Sequence, residues 1–163
     1  MTLLAAAVLV AIDQLAKAWV QATFALGEAG TPVIPGALYF TYVQNRGAAF
    51  GMLRGLDLRL GPLQVDGTFL LGLLSLAVSV WLTAHLLRHG REHGAWMRVA
   101  LTMVLAGAIG NMIDRFRLGY VVDFVHVRIG WFDFPVFNVA DALISVGAVL
   151  LLAVSLLGTR DAR

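Results

Sequence analysis

The chain has no cysteine. Disulfides, thiolate metal sites and a cysteine nucleophile are therefore excluded. Charge is also scarce: Asp, Glu, Lys and Arg make up 13% of the 163 residues, and Lys17 is the only lysine. A soluble domain carries about 25% charged and about 45–50% apolar residues. Here 60% are hydrophobic, so most of the surface must meet lipid rather than water. The net charge of +2 is too small to argue for a nucleic-acid partner. The arginine excess behind the pI near 9.5 suits membrane topology better. The length fits one domain, expected to cover residues 1–163 as a single membrane unit.

Crossing the hydrocarbon core takes about 20 predominantly apolar residues. Four stretches meet this, at about 3–24, 68–87, 95–113 and 139–157. The first lacks a basic n-region and runs through polar interruptions to Val20. It is therefore expected to be a retained helix rather than a cleaved signal peptide. Arg98, near the start of the third span, can snorkel to the interface. Residues 25–67 and 114–138 form two long connections. The first is broken by Pro32, Pro35 and Pro62 and contains Ala37–Val43, rich in strand formers, and Leu56, Leu58 and Leu60 alternating with Asp57 and Arg59. The second has a strand-like run from Tyr120 to Val127, then Trp131, Phe132, Phe134 and Phe137. The expected fold is an all-α integral membrane bundle of four transmembrane helices carrying a small extracytoplasmic β-sheet.

An even number of spans puts both termini and the 88–94 loop on one side and both long connections on the other. Arginines occur on both sides: Arg88, Arg91, Arg98, Arg160 and Arg163 against Arg46, Arg54, Arg59, Arg115, Arg117 and Arg128. Their density in the shorter terminal-side segments favours cytoplasmic termini.

Several polar residues stand out against this background. Asp13 and Lys17, four apart on the first helix, share a face. A charge at the bilayer centre costs roughly 2.5–3.5 kcal/mol on insertion scales, so the two are expected inside the bundle, as a structural ion pair or as part of a site. Gly110-Asn-Met-Ile-Asp-Arg115 closes the expected third helix, with Asn111, Asp114 and Arg115 on one face. An Asp–Arg pair fixing a helix end and a functional role both fit. Ala106 and Gly110 form a small-xxx-small pair suited to close helix packing. Asp123 lies among apolar residues in Gly119-Tyr-Val-Val-Asp-Phe124; an arginine partner or catalysis would explain it. In Phe137-Asn-Val-Ala-Asp141, Asn138 is a good N-cap and Asp141 falls at N3. Two adjacent carboxylates in a low-dielectric site cannot both ionise easily, so one retains its proton and the pair offers an acid and a base together. His85, His89 and His93 have helical spacing, but Gly90 and Gly94 interrupt it and a solvated loop is expected there rather than a metal site. His126 stands alone, and Ser145 has no evident base beside it.

Asp13-Gln-Leu-Ala-Lys17, Asn45-Arg-Gly-Ala-Ala-Phe-Gly51, Gly110–Arg115, Gly119–Phe124 and Phe137–Asp141, in this order and over nearly the whole chain, resemble the bacterial lipoprotein signal peptidases, or signal peptidase II. The resemblance implies an inner-membrane aspartyl protease that cuts diacylglyceryl-modified prolipoproteins just before the lipidated cysteine. It implies Asp123 and Asp141 as the catalytic dyad, with Asn45, Asn111, Arg115 and Asn138 around it. Asp114 would support Arg115 and the site, and Asp13 and Lys17 would be the first-helix polar pair. It further implies a strand cradle over the substrate, an active site near the outer face, contact with membrane lipid, inhibition by the cyclic peptide globomycin, and no metal or cofactor. The rival expectation is a non-enzymatic proton-coupled membrane carrier with its carboxylates as relay groups. Four short spans without an inverted repeat disfavour it.

Overall fold

The computed structural model describes residues 2–28, 30–47, 57–60 and 63–158. Its elements run α1 (Thr2–Thr23), β1 (Thr31–Ile34), β2 (Leu38–Asn45), β3 (Asp57–Leu60), β4 (Leu63–Asp66), α2 (Gly67–His89), α3 (Ala95–Leu118), β5 (Val121–Ile129), β6 (Phe132–Asp133) and α4 (Val139–Gly158). Among the described residues four helices are long and apolar enough to cross a membrane. Long apolar side chains on their outer faces, such as Leu15, Leu74, Trp81 and Leu152, are exposed, as a lipid solvent requires.

Half of the apolar window of α3 is buried, against 11% of that of α4. Helix α3 is the pillar on which the other three lean. Ala6, Leu82, Leu86, Leu101, Leu105 and Ala106 form the core where α1, α2 and α3 meet. The approach of α4 depends on small residues. A Cβ at Gly107 would run into the Ala140 carbonyl and stand 2.6 Å from Ile144 Cγ1, and one at Gly147 would stand 3.0 Å from the Ala100 carbonyl. Small residues let backbones approach where burial from water offers no driving force. Ala106 and Gly110, expected to permit close helix packing, do so against different neighbours: Ala106 packs in the three-helix core, and a Cβ at Gly110 would stand 3.2 Å from Ala140 Cβ and 2.6 Å from Asp13 Oδ2. Gly107, one position on from Ala106, faces α4. The small-xxx-small spacing was visible in the sequence; which small residue met which neighbour was not.

Helix α3 also runs further than its apolar stretch suggests. It does not close at the Gly110–Arg115 segment but continues to Leu118 and ends at Gly119, which has φ 74° and donates its N–H to the Arg115 carbonyl. No breaker lies between Asn111 and Leu118, and the left-handed residue at the end suits glycine. Asn111 and Asp114 are buried within the helix because polar groups of α1 meet them, so falling hydropathy did not mark the end.

The strands form one antiparallel sheet, ordered β1-β2-β5-β6, and a separate β3-β4 hairpin. Strand β2 belongs to the first long connection and β5 to the second, with Val43 opposite Asp123 and Asn45 opposite Val121. The two connections therefore meet, as the even span count implies. Val20 on α1 packs with Tyr42, Val122 and Phe124, fixing the sheet to the end of that helix. The expected strand at Leu56–Leu60 appears as β3, with Leu56 itself and residues 48–51 outside the described residues.

The glycine contact is open to a direct check. Gly107→Val should overpack the α3–α4 interface, and overpacking costs about 1–3 kcal/mol. Thermal unfolding in detergent should show a lowered Tm, while Gly94→Ser, where a Cβ meets open space and φ is -60°, should move it less.

Candidate active site

Helix α4 begins with a reciprocal cap. Asn138 Oδ1 accepts the Asp141 N–H at 2.8 Å, and Asp141 Oδ2 accepts the Asn138 N–H at 3.3 Å. Asp13 Oδ1, from α1, accepts the Ala140 N–H at 2.9 Å. Three N–H groups at the helix start, which have no partner within the helix, are thus satisfied by three side chains. The capping expected at Asn138 and Asp141 is present, and it orients the Asp141 carboxylate.

Asp123 arrives from β5 and is 1% exposed. Its Oδ1 accepts Asn138 Nδ2 at 2.7 Å and its Oδ2 accepts Asn45 Nδ2 at 2.9 Å. Asn45 and Asp123 are diagonal neighbours across the β2–β5 ladder, within side-chain reach on one face. Asn138 therefore touches both aspartates, holding Asp123 with its amide and Asp141 through the cap. Asn111 completes the link. Its Nδ2 donates to Asp141 Oδ1 at 2.8 Å, while its Oδ1 accepts Asn138 Nδ2 at 3.2 Å and Lys17 Nζ at 3.1 Å.

Beneath this lies a buried ion cluster. Lys17 Nζ bonds Asp13 Oδ2 at 2.8 Å, Asp114 Oδ2 at 2.9 Å and Asn111 Oδ1, so all three ammonium protons have acceptors. Gln14, which sequence reasoning did not single out, donates to Asp114 Oδ1 at 2.9 Å and to the Gly110 carbonyl at 3.2 Å. A glutamine beside Asp13 in an apolar helix was the available signal. Asp114 also accepts the Val122 N–H at 3.1 Å, tying β5 to α3. Its hydrogen bonds and ion pair thus go to Lys17, Gln14 and β5, while its charge also acts on Arg115. Position 114 turns toward α1, while Arg115 turns the other way, half-buried, with Nη1 on the Asn111 carbonyl at 3.3 Å. Arg115 is close enough for its charge to act on both Asp123 and Asp141.

Burial first, and the charge of Asp141 second, raise the Asp123 carboxyl to about 7, against the amide donors of Asn45 and Asn138. Because this exceeds the ordinary carboxylate value, the group's contribution to stability is full at low pH and is lost as pH rises through about 7. No buried side-chain polar atom among the described residues lacks a partner, so the whole network is satisfied.

Histidines outside the cluster have partners that the sequence did not show. His126, expected alone, meets Asp133 at 2.6 Å. Among the described residues no group of three or more His, Asp or Glu is arranged to hold a metal. An apolar groove of about 220 Å³ borders Asn138, lined by Met103, Phe137, Val139, Leu143 and Val146. By helical spacing this stripe lies on the flank of α4 turned away from Asp141, so the groove does not open onto the carboxylates.

A polytopic membrane protein with paired carboxylates at the joint between its sheet and bundle is the class these features define. The family model described as signal peptidase (SPase) II matches residues 5–157. A lipoprotein signal peptidase of Trichormus variabilis is 45% identical over 150 residues, covering 92% of this chain and 85% of that protein. One from Streptococcus pyogenes serotype M1 is 40% identical over 144 residues, covering 88% and 85%. A solved structure described as a bacterial membrane enzyme, at 2.3 Å resolution, superimposes with a TM-score of 0.84 at 30% identity, covering 99% of this chain and 91% of that one. The chain belongs to the signal peptidase II family and is a multi-pass membrane protease.

Breaking the ion cluster tests its weight. Lys17→Met would leave Asp13 and Asp114 buried without a cation, and removing one partner of a buried ion pair costs about 3–5 kcal/mol. Folded yield and Tm in detergent should fall sharply. An unchanged Tm would show that Lys17 is not what holds α1 to α3.

Proposed function

We propose that this chain is an aspartyl endopeptidase that removes the signal peptide from diacylglyceryl-modified prolipoproteins, cutting just before the lipidated cysteine, with Asp123 and Asp141 as its dyad. The observation that carries the reading is the Asn138 clamp, one side chain bonded to Asp123 through its amide and to Asp141 through the helix cap. The names of the relatives, lipoprotein signal peptidases, support the substrate class.

In this reading Asp141 is the base. It lies at N3 of α4 and accepts a backbone N–H and the Asn111 amide, contacts suited to a carboxylate. Asp123, more deeply buried, carries the proton. Asp141 takes a proton from water as the water attacks the scissile carbonyl, and Asp123 gives its proton to the carbonyl oxygen. When the tetrahedral intermediate collapses, the C–N bond breaks, the proton held by Asp141 passes to the departing amine, and Asp123 takes back the proton from the gem-diol hydroxyl, which restores the starting dyad. Asn45, Asn111 and Asn138 keep the carboxylates in place, and Arg115 offers a cation beside them. Asp13, Lys17 and Asp114 hold the frame. The chemistry calls for no metal or cofactor.

The enzyme would lie in the bacterial inner membrane with both termini cytoplasmic and the dyad near the outer face. Substrate acyl chains would reach it sideways from the lipid, beneath the sheet. Globomycin would compete at the dyad. A proton-coupled carrier has no support from a family of peptidases.

Two measurements test this reading. In a cleavage assay on a diacylated prolipoprotein, Asp123→Asn and Asp141→Asn should each lower turnover by about 10²- to 10⁴-fold, the usual weight of positioned acid–base groups. Near-normal turnover by either folded variant would remove the dyad. Activity should also fall as pH rises through about 7, where Asp123 loses its proton. Asn45→Ala removes a donor that favours the carboxylate form, so it should shift that alkaline limb to higher pH.

A further inference from the structure

At the opposite end of the bundle from the dyad, three histidines gather where α2 ends. His85 lies on α2, and His93 lies in the connection to α3. Their Nε2 atoms are 2.8 Å apart, and their ring centroids are 5.0 Å apart. That centroid distance is nearly the nitrogen–nitrogen distance plus a ring radius at each end, so the two nitrogens point at one another, tip to tip. One must donate and the other accept, and a single proton joins the pair. Both rings are half-buried. Trp81 stacks on His85 with centroids 5.4 Å apart and planes within 18°, and Arg98 Nη1 holds the His93 carbonyl at 2.9 Å, so both imidazoles are oriented by neighbours. The ring of His89 lies 5.2 Å from that of His85, but His89 is exposed and does not complete a three-ligand cluster.

We propose that His85 and His93 form a two-imidazole site for one divalent transition-metal ion of the zinc class, which takes the place of the shared proton, the proton moving to Nδ1 of the donor ring, and clips the end of α2 to the connection into α3. Zinc binds imidazole nitrogen at about 2.0–2.1 Å in tetrahedral geometry, which places two ligand nitrogens roughly 3.3 Å apart. Chelation needs the nitrogens about half an ångström further apart and each ring turned by roughly 35°, so that the two lone pairs converge on the ion; the connection that carries His93 follows Gly90. Water fills the remaining positions. Arg98 stands at the site, and Arg88, Arg91 and the acid Glu92 lie in the same segment of the chain. The arginines oppose any added cation, so the site is expected to bind at micromolar rather than nanomolar concentration.

The test uses the full chain in detergent with any affinity tag removed. Zinc chloride is titrated by calorimetry, and nickel is followed by quenching of Trp81 fluorescence, with Trp81→Phe as the control for the chain's other three tryptophans. One ion per chain should bind and Tm should rise. His85→Ala and His93→Ala should each weaken binding by about tenfold or more, while His89→Ala leaves it unchanged. The metal-free Tm and cleavage activity of His93→Ala show whether that variant remains folded. Binding that survives His93→Ala but fails in His89→Ala would place the ion on the helical His85–His89 pair and overturn the proposal, as would no saturable binding to the folded parent.

Discussion

Lys17 Nζ has three protons and three acceptors, on Asp13, Asp114 and Asn111. Asp13 belongs to α1 and caps the start of α4; Asp114 belongs to α3 and holds the backbone of β5; Asn111 holds Asp141. One ammonium group thus connects the bundle, the sheet and the dyad. An ion pair of this kind is weak evidence for stability, because desolvation offsets much of the attraction. What it supplies is position. Every carboxylate it touches has its other oxygen engaged elsewhere, so α1, α3, α4 and β5 can meet in only one arrangement that satisfies all of them.

The same contacts fold the protein and prepare its chemistry. Asn138 is an N-cap that any helix would accept, and Asp141 at N3 is an ordinary capping partner. Their side chains become a site because β5 delivers Asp123 to the free amide of Asn138. Capping and the proposed catalytic role are not rival explanations of Asp141. The cap holds the carboxylate against lipid and water alike, in a place where a loose side chain would be costly.

Much of this was legible in the sequence. Hydropathy marked the four spans, their even number put both long connections on one side, and the cap at Asn138 and Asp141 followed from residue type and spacing. The five motifs in order pointed to the family. The missing parts depend on contacts between distant segments. Hydropathy could not place the end of α3, since Asp114 is polar to the eye but buried against Lys17. Residue size could not separate Gly107 from Ala106, because only the position of α4 does so. Arg115 beside Asp114 suggested a pair, while helical geometry sends the two in different directions. Gln14 went unnoticed between two louder charges.

The central claim is that the two aspartates share one proton and that Asp123 holds it. Infrared difference spectroscopy of the detergent-solubilised protein across a pH titration tests this without any substrate. The account predicts one protonated-carboxyl band that disappears as pH rises through about 7, is lost in Asp123→Asn and remains, with a lower midpoint, in Asp141→Asn. A band that survives Asp123→Asn, or none titrating in that range, would contradict it.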